Sequence, residues 1–142
     1  MSILSKERIS LHEKAADKAD AIRKAGNLLV KSGCVLPEYV EGMLAREQSM
    51  STSLGNGVAI PHGIYENRGH ILQTGISVLQ LDEAVDWGDD DRVSLIIGIA
   101  AMGDEHVGVL SNLAEVIENE DNLNEMFKTS DYQVILKYLS AN

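Results

Sequence analysis

Three residues have types and settings suited to chemistry: His62, His106 and Arg46. His62 stands in Gly55-Asn56-Gly57-Val58-Ala59-Ile60-Pro61-His62-Gly63, at the end of an apolar run. Pro61 fixes its own φ and Gly63 admits unusual φ, so the spacing predicts an imidazole held at a defined angle outside any regular ladder. A neutral ring nitrogen is a good nucleophile near pH 7, and a phosphorylated ring is a good leaving group. On spacing alone, His62 reads equally as a loop histidine with no special role.

His106 follows Gly103-Asp104-Glu105, just past a second apolar run. If that run is a central strand, His106 lies at its carboxyl end, where open α/β sheets bind ligands. It also falls in the first turn of the next helix, whose backbone N–H groups and positive dipole end favour an anion. Arg46 lies near the end of an earlier helix. Its planar guanidinium suits phosphate oxygens, although a cation is favourable at a helix end for dipole reasons alone. Two histidines with Asp104 or Glu105 could also hold zinc. However, no HExxH or CxxC spacing occurs, and adjacent residues disperse around a helix. No Walker-type loop and no GxSxG elbow is present, which argues against a nucleotide-using kinase and a serine hydrolase.

The elements that must position these residues follow from periodicity. Residues 14–31 read as a helix with Ala15, Ala19, Ile22, Gly26 and Leu29 on one face, stopped by Ser32-Gly33. Pro37 opens a second helix that presents Tyr39, Val40, Met43 and Leu44 and ends near Gln48. Residues 49–57 form a polar connection, 58–60 a short strand, and 74–81 another strand. Gly88-Asp89-Asp90-Asp91 is a turn, lacking the glycine and distal glutamate of a calcium loop. Residues 93–101 are apolar on both alternating faces, as in a central strand covered on both sides. Asp104 then resembles an N-cap for a helix carrying Val107, Leu110, Leu113, Ala114 and Ile117. Two shorter helices, 121–128 and 131–139, complete an α/β domain. His12 and His70 read as solvated surface. Cys34 reads as structural, with Lys31 its only basic neighbour in sequence.

The composition bounds the partners. A chain of 142 residues with 44% hydrophobic and 24% charged residues fits one globular domain. A formal net charge of −10 argues against nucleic acid and anionic lipid, which need clustered Lys and Arg. No apolar run is long enough to span a bilayer, and the N-terminus lacks a signal-peptide core. The single cysteine excludes an intramolecular disulfide and fits a reducing cytoplasm.

At these residues the sequence resembles the enzyme IIA domains of the mannitol/fructose class in the phosphoenolpyruvate-dependent phosphotransferase system. The resemblance rests on Gly-Asn-Gly-Val-Ala-Ile-Pro-His62-Gly63, preceded by Arg46-Glu47 and followed by Asp104-Glu105-His106, and spans nearly the whole chain. Val85-Asp86-Trp87 and Ile97-Gly98-Ile99-Ala100-Ala101 resemble the mannitol branch in particular. It implies one IIA domain over residues 1–142, with a mixed five-stranded sheet flanked by helices. It further implies that His62 is the phosphorylated histidine, His106 the histidine that supports the phosphoryl group, and Arg46 the arginine that neutralises its charge. The donor would be phosphorylated HPr and the acceptor a cysteine of enzyme IIB, in the cytoplasm, with no metal, nucleotide or other cofactor and no membrane insertion. The alternative is a regulatory relative of the nitrogen-related IIA type, which shares Ile-Pro-His-Gly. The start at Met1 and the compact length point to a free-standing subunit.

Overall fold

The computed structural model describes residues 3–103 and 105–139, except for the side chain of Tyr65. Five strands form one mixed sheet: β1 (Ile9–Glu13), β2 (Ser53–Gly55), β3 (Val58–Ala59), β4 (Gly75–Gly88) and β5 (Asp91–Ala100). Their order is β1-β4-β5-β3-β2, which puts β5 in the centre. β1 runs parallel to β4 and β3 parallel to β5, while the β4–β5 and β2–β3 pairs are antiparallel. Among the described residues five α-helices flank the sheet: α1 (Lys18–Lys31), α2 (Glu38–Ser49), α3 (Glu105–Glu118), α4 (Glu120–Lys128) and α5 (Tyr132–Leu139).

The central strand is buried on both faces, as its unbroken apolar run requires. Leu95, Ile97 and Ile99 pack with residues of α3, α4 and α5, among them Val109, Leu113, Met126 and Ile135. Ile96 and Ala100 pack on the other side against α1 and α2, through Ala25, Leu29, Tyr39 and Met43. This is the expected α/β sheet with helices on both sides.

Several elements differ from the sequence reading, each for a physical reason. α1 starts at Lys18 because the Asp17 carboxylate caps it, accepting the Asp20 N–H at 2.8 Å. Its buried face is Ala21, Ile22, Ala25, Gly26 and Leu29, and Ala19 is exposed. The polar connection before His62 contains β2, joined to β3 by Asn56 and Gly57, whose φ values of 57° and 86° make a tight hairpin. β1 has no counterpart in the sequence reading, since five mixed residues carry no clear alternation. β4 runs on to Gly88 past a register shift between Gln80 and Val85, and turns into β5 through Asp89 and Asp90. On α3 two apolar stripes overlap in sequence. The sheet selects Val109, Leu113 and Ile117, leaving Val107 70% exposed and Ala114 exposed. Asp104, the expected N-cap of α3, lies outside the described residues.

His12 is not simply solvated. Its backbone is left-handed at φ 54°, Nδ1 pairs with the Asp82 carboxylate at 2.8 Å, and Nε2 pairs with the Ser130 hydroxyl at 2.7 Å. The ring thus ties β1 to β4 and to the turn before α5. His70 is half-buried at the end of a 3-10 turn (Tyr65–His70). Cys34 is fully buried, as a structural cysteine should be. Among the described residues no helix is long and apolar enough to cross a membrane.

Candidate active site

His62 sits where β3 has ended but the chain still follows β5. Ile99 donates its N–H to the Pro61 carbonyl at 2.9 Å, and His62 forms an isolated parallel bridge to Ile99. Pro61 suits this position because its own nitrogen has no hydrogen to leave unpaired. The glycine that follows has a different reason from the one expected. Gly63 is not at positive φ. A Cβ there would stand 2.7 Å from Cε1 and 3.0 Å from Cζ of Tyr39, so the position is kept small to admit the tyrosine ring.

The His62 ring is half-buried, and its Nδ1 lies 2.8 Å from the Ile60 carbonyl oxygen. A carbonyl only accepts, so Nδ1 carries the proton and the neutral ring has its lone pair on Nε2. Burial lowers the His62 pKa below the ordinary histidine value. The Ile60 hydrogen bond opposes this, Arg46 and His106 add to the lowering, and the Glu47 carboxylate again opposes it. The result is a ring held neutral near pH 7 in one tautomer, which is the nucleophilic form.

The fold brings the three predicted residues to one cleft of about 490 Å³, lined by Arg46, His62 and His106 together with Tyr39, Gly63 and Arg68. His106 comes from the first turn of α3, and its ring meets that of His62 edge-on, with centroids 5.3 Å apart. The start of α3 is anchored by Thr74, whose hydroxyl accepts the Met102 N–H at 3.0 Å and donates to the Glu105 carboxylate at 2.8 Å. Arg46 comes from the last turn of α2, where its guanidinium donates to the Met50 carbonyl at 2.6 Å. The next residue, Glu47, faces inward and is 4% exposed. Its carboxylate accepts from the Thr52 N–H, the Thr52 hydroxyl and the Trp87 indole, and pairs with Lys18 at 3.4 Å.

The sequence reading missed Tyr39 and Arg68 as cleft residues. The spacing predicts only a place on the apolar side of α2 for Tyr39. The available signal was its hydroxyl, because a buried phenol needs a hydrogen-bond partner. Arg68 carried no signal beyond its charge, in the polar segment after His62. Among the described residues no group of three or more His, Cys, Asp and Glu side chains is gathered as metal ligands.

A neutral imidazole at a strand end, with cationic and hydrogen-bonding groups around one cleft, is an arrangement suited to carrying a phosphoryl group on histidine. The family described as phosphoenolpyruvate-dependent sugar phosphotransferase system, EIIA 2, matches residues 2–142, and the chain belongs to it. It is 41% identical over 140 residues to the mannitol-specific phosphotransferase enzyme IIA component of Geobacillus stearothermophilus, covering 99% of this chain and 97% of that protein. It is 42% identical over 142 residues to the mannitol-specific EIICBA component of Pasteurella multocida, covering 98% of this chain but 23% of that longer protein. In three dimensions it matches enzyme IIAMTL in the complex with phosphorylated enzyme IIBMTL from Escherichia coli. The TM-score is 0.91, with 40% identity and 98% of each chain covered. The nitrogen regulatory protein IIA-Ntr of Neisseria meningitidis matches with a TM-score of 0.83 at 29% identity, covering 96% of each chain.

Proposed function

We infer that this chain, as one IIA domain, accepts a phosphoryl group on Nε2 of His62 from phosphorylated HPr and passes it to a cysteine of enzyme IIB during mannitol uptake, in the cytoplasm. The observation that carries the reading is the Nδ1–H of His62 donated to Ile60, with His106 edge-on and Arg46 on the same cleft.

The chemistry balances without a proton leaving His62. The Nε2 lone pair attacks phosphorus in line with the donor's N–P bond. As the new N–P bond forms, the old one breaks and its electron pair returns to the donor imidazole. His62 becomes a phosphoimidazolium whose Nδ1–H stays on the Ile60 carbonyl. In the second step a cysteine thiolate of enzyme IIB attacks the same phosphorus. An S–P bond forms, the Nε2–P bond breaks, and His62 returns neutral in its starting tautomer. The transition state is loose, so positioning and charge stabilisation supply most of the acceleration. Arg46 and His106 serve the equatorial oxygens.

The test is incubation with phosphoenolpyruvate, enzyme I and HPr. The protein should acquire an acid-labile, alkali-stable phosphate, and His62→Ala should acquire none. Label retained by that variant would end the reading. The likeness to IIA-Ntr supports a second reading, a carrier that acts by phosphorylation-dependent binding to other proteins. Transfer of label to a mannitol-type enzyme IIB separates the two, since only the uptake reading requires it.

A further inference from the structure

The backbone around His62 is tied to the central strand on both sides, in two different ways. On the amino side the bond is direct, from the Ile99 N–H to the Pro61 carbonyl at 2.9 Å. On the carboxyl side a side chain enters the ladder. The Tyr39 hydroxyl accepts the Gly63 N–H at 2.9 Å and donates to the Ile99 carbonyl at 2.7 Å. Tyr39 is 3% exposed, and burial pushes its pKa up, so the phenol remains a protonated donor. One residue further on, the Ile64 N–H donates to Asn67 Oδ1 at 3.0 Å. Two smaller residues make room for this clamp. A Cβ on Gly63 would meet the Tyr39 ring at 2.7 Å, and one on Gly42 would meet Asn67 Oδ1 at 2.0 Å.

We propose that Tyr39 is a positioning residue for phosphoryl transfer: its hydroxyl, set between Gly63 and Ile99, holds the backbone after His62 and thereby aims the imidazole. The physical reason lies in where the ring is attached. Among the described residues the His62 side chain bonds to backbone at Ile60, on its amino side. Its Cα is defined from the carboxyl side by Gly63, and Gly63 is held by Tyr39. Without the hydroxyl, the Gly63 N–H and Ile99 carbonyl must find each other or water. The corner then rotates, and the Nδ1–Ile60 bond that selects the tautomer weakens. Misplacing a reacting nitrogen by a fraction of an ångström slows transfer without weakening encounter with the donor protein.

The inference rests on His62 as the phosphoryl acceptor, and its test separates the two. Tyr39→Phe, labelled with 15N-histidine, is compared with the unaltered protein by ring 15N NMR and by phosphoryl transfer from HPr. The expected result is a smaller Nδ1–H fraction for His62 and a kcat lower by roughly tenfold with KM unchanged. An unchanged ring spectrum with an unchanged rate would overturn the proposal. Should Tyr39→Phe fail to fold, Gly63→Ala displaces the ring of Tyr39 instead. That variant must perturb the His62 tautomer in the same direction, and an unperturbed tautomer would likewise refute the role. If His62→Ala still accepts phosphate, the carrier reading falls while the effect of Tyr39 on the His62 ring still stands. If phosphate requires His62 but Tyr39→Phe changes nothing, only the positioning role is lost.

Discussion

The imidazoles of His62 and His106 meet edge to face, centroids 5.3 Å apart and planes inclined by 63°. One ring is delivered by the end of a strand and the other by the first turn of a helix, so their spacing is fixed by two rigid elements packed on the same sheet. At this distance the neighbouring His106 ring disfavours a proton on His62, which adds to burial in keeping His62 neutral.

If His106 serves the phosphoryl oxygens, His106→Ala should leave the fold intact and lower the rate of phosphoryl transfer by about a hundredfold, the usual effect of removing one transition-state donor. Rapid-quench transfer from phosphorylated HPr measures this. A rate within twofold of the unaltered protein would remove His106 from the mechanism.

Arg46 in the resting protein donates to the Met50 carbonyl, so its guanidinium is already held at the cleft. Arg46→Gln should slow transfer by about a hundredfold, and Arg46→Lys should recover only part of it, since an ammonium lacks the planar fork. In the glutamine variant the His62 titration, followed by NMR, should also move upward, because a cation that lowers its pKa is gone.

The lowered His62 pKa fixes the sign of two pH effects. Phosphate acceptance should be level through neutral pH and fall only as acid protonates Nε2, at a pH below the ordinary histidine value of about 6.5. For stability, the unfolded chain binds the proton before the folded one does. The contribution of this group is therefore complete above about pH 6.5, declines as pH falls below that value, and levels off beneath the folded pKa. Urea unfolding of His62→Gln between pH 7 and 5 should show a shallower loss than the unaltered protein.

Glu47 is a structural counterpart to its neighbour Arg46. Glu47→Ala strands the Trp87 indole N–H and the Thr52 N–H in a buried setting and takes from Lys18 its carboxylate, leaving it the Trp87 carbonyl. It should cost about 3 kcal/mol of unfolding free energy in urea titrations. Trp87→Phe should cost about 2 kcal/mol, because it removes one donor from the carboxylate and leaves a cavity where the buried indole stood.

Much of this protein is legible in its residues. The doubly apolar run through Ile96 and Ile97 specifies a strand buried on both faces, and Ser32-Gly33 ends α1 for local reasons of backbone conformation. His62, His106 and Arg46 could be singled out as candidates by type and setting, because a strand end and helix termini leave local marks, and the structure places all three on one cleft. Local pattern fails where the deciding contact is distant. β1 is too short and too mixed to announce itself, and it exists because β4 offers an edge. The apolar stripe of α3 is ambiguous until a sheet lies beneath it. His12 is an ordinary polar residue until Asp82 and Ser130 arrive from other parts of the chain.

The site divides in the same way. The sequence by itself determined that a histidine would stand between a proline and a glycine at the end of an apolar strand. Only the tertiary structure decided which nitrogen of that histidine is free, since the Ile60 carbonyl must first be turned toward Nδ1. It also decided why the next residue is glycine. The answer is not a backbone angle but the ring of Tyr39, carried in from α2. Residue type travels with the chain, whereas tautomer, pKa and aim are properties of what the fold places within a few ångströms.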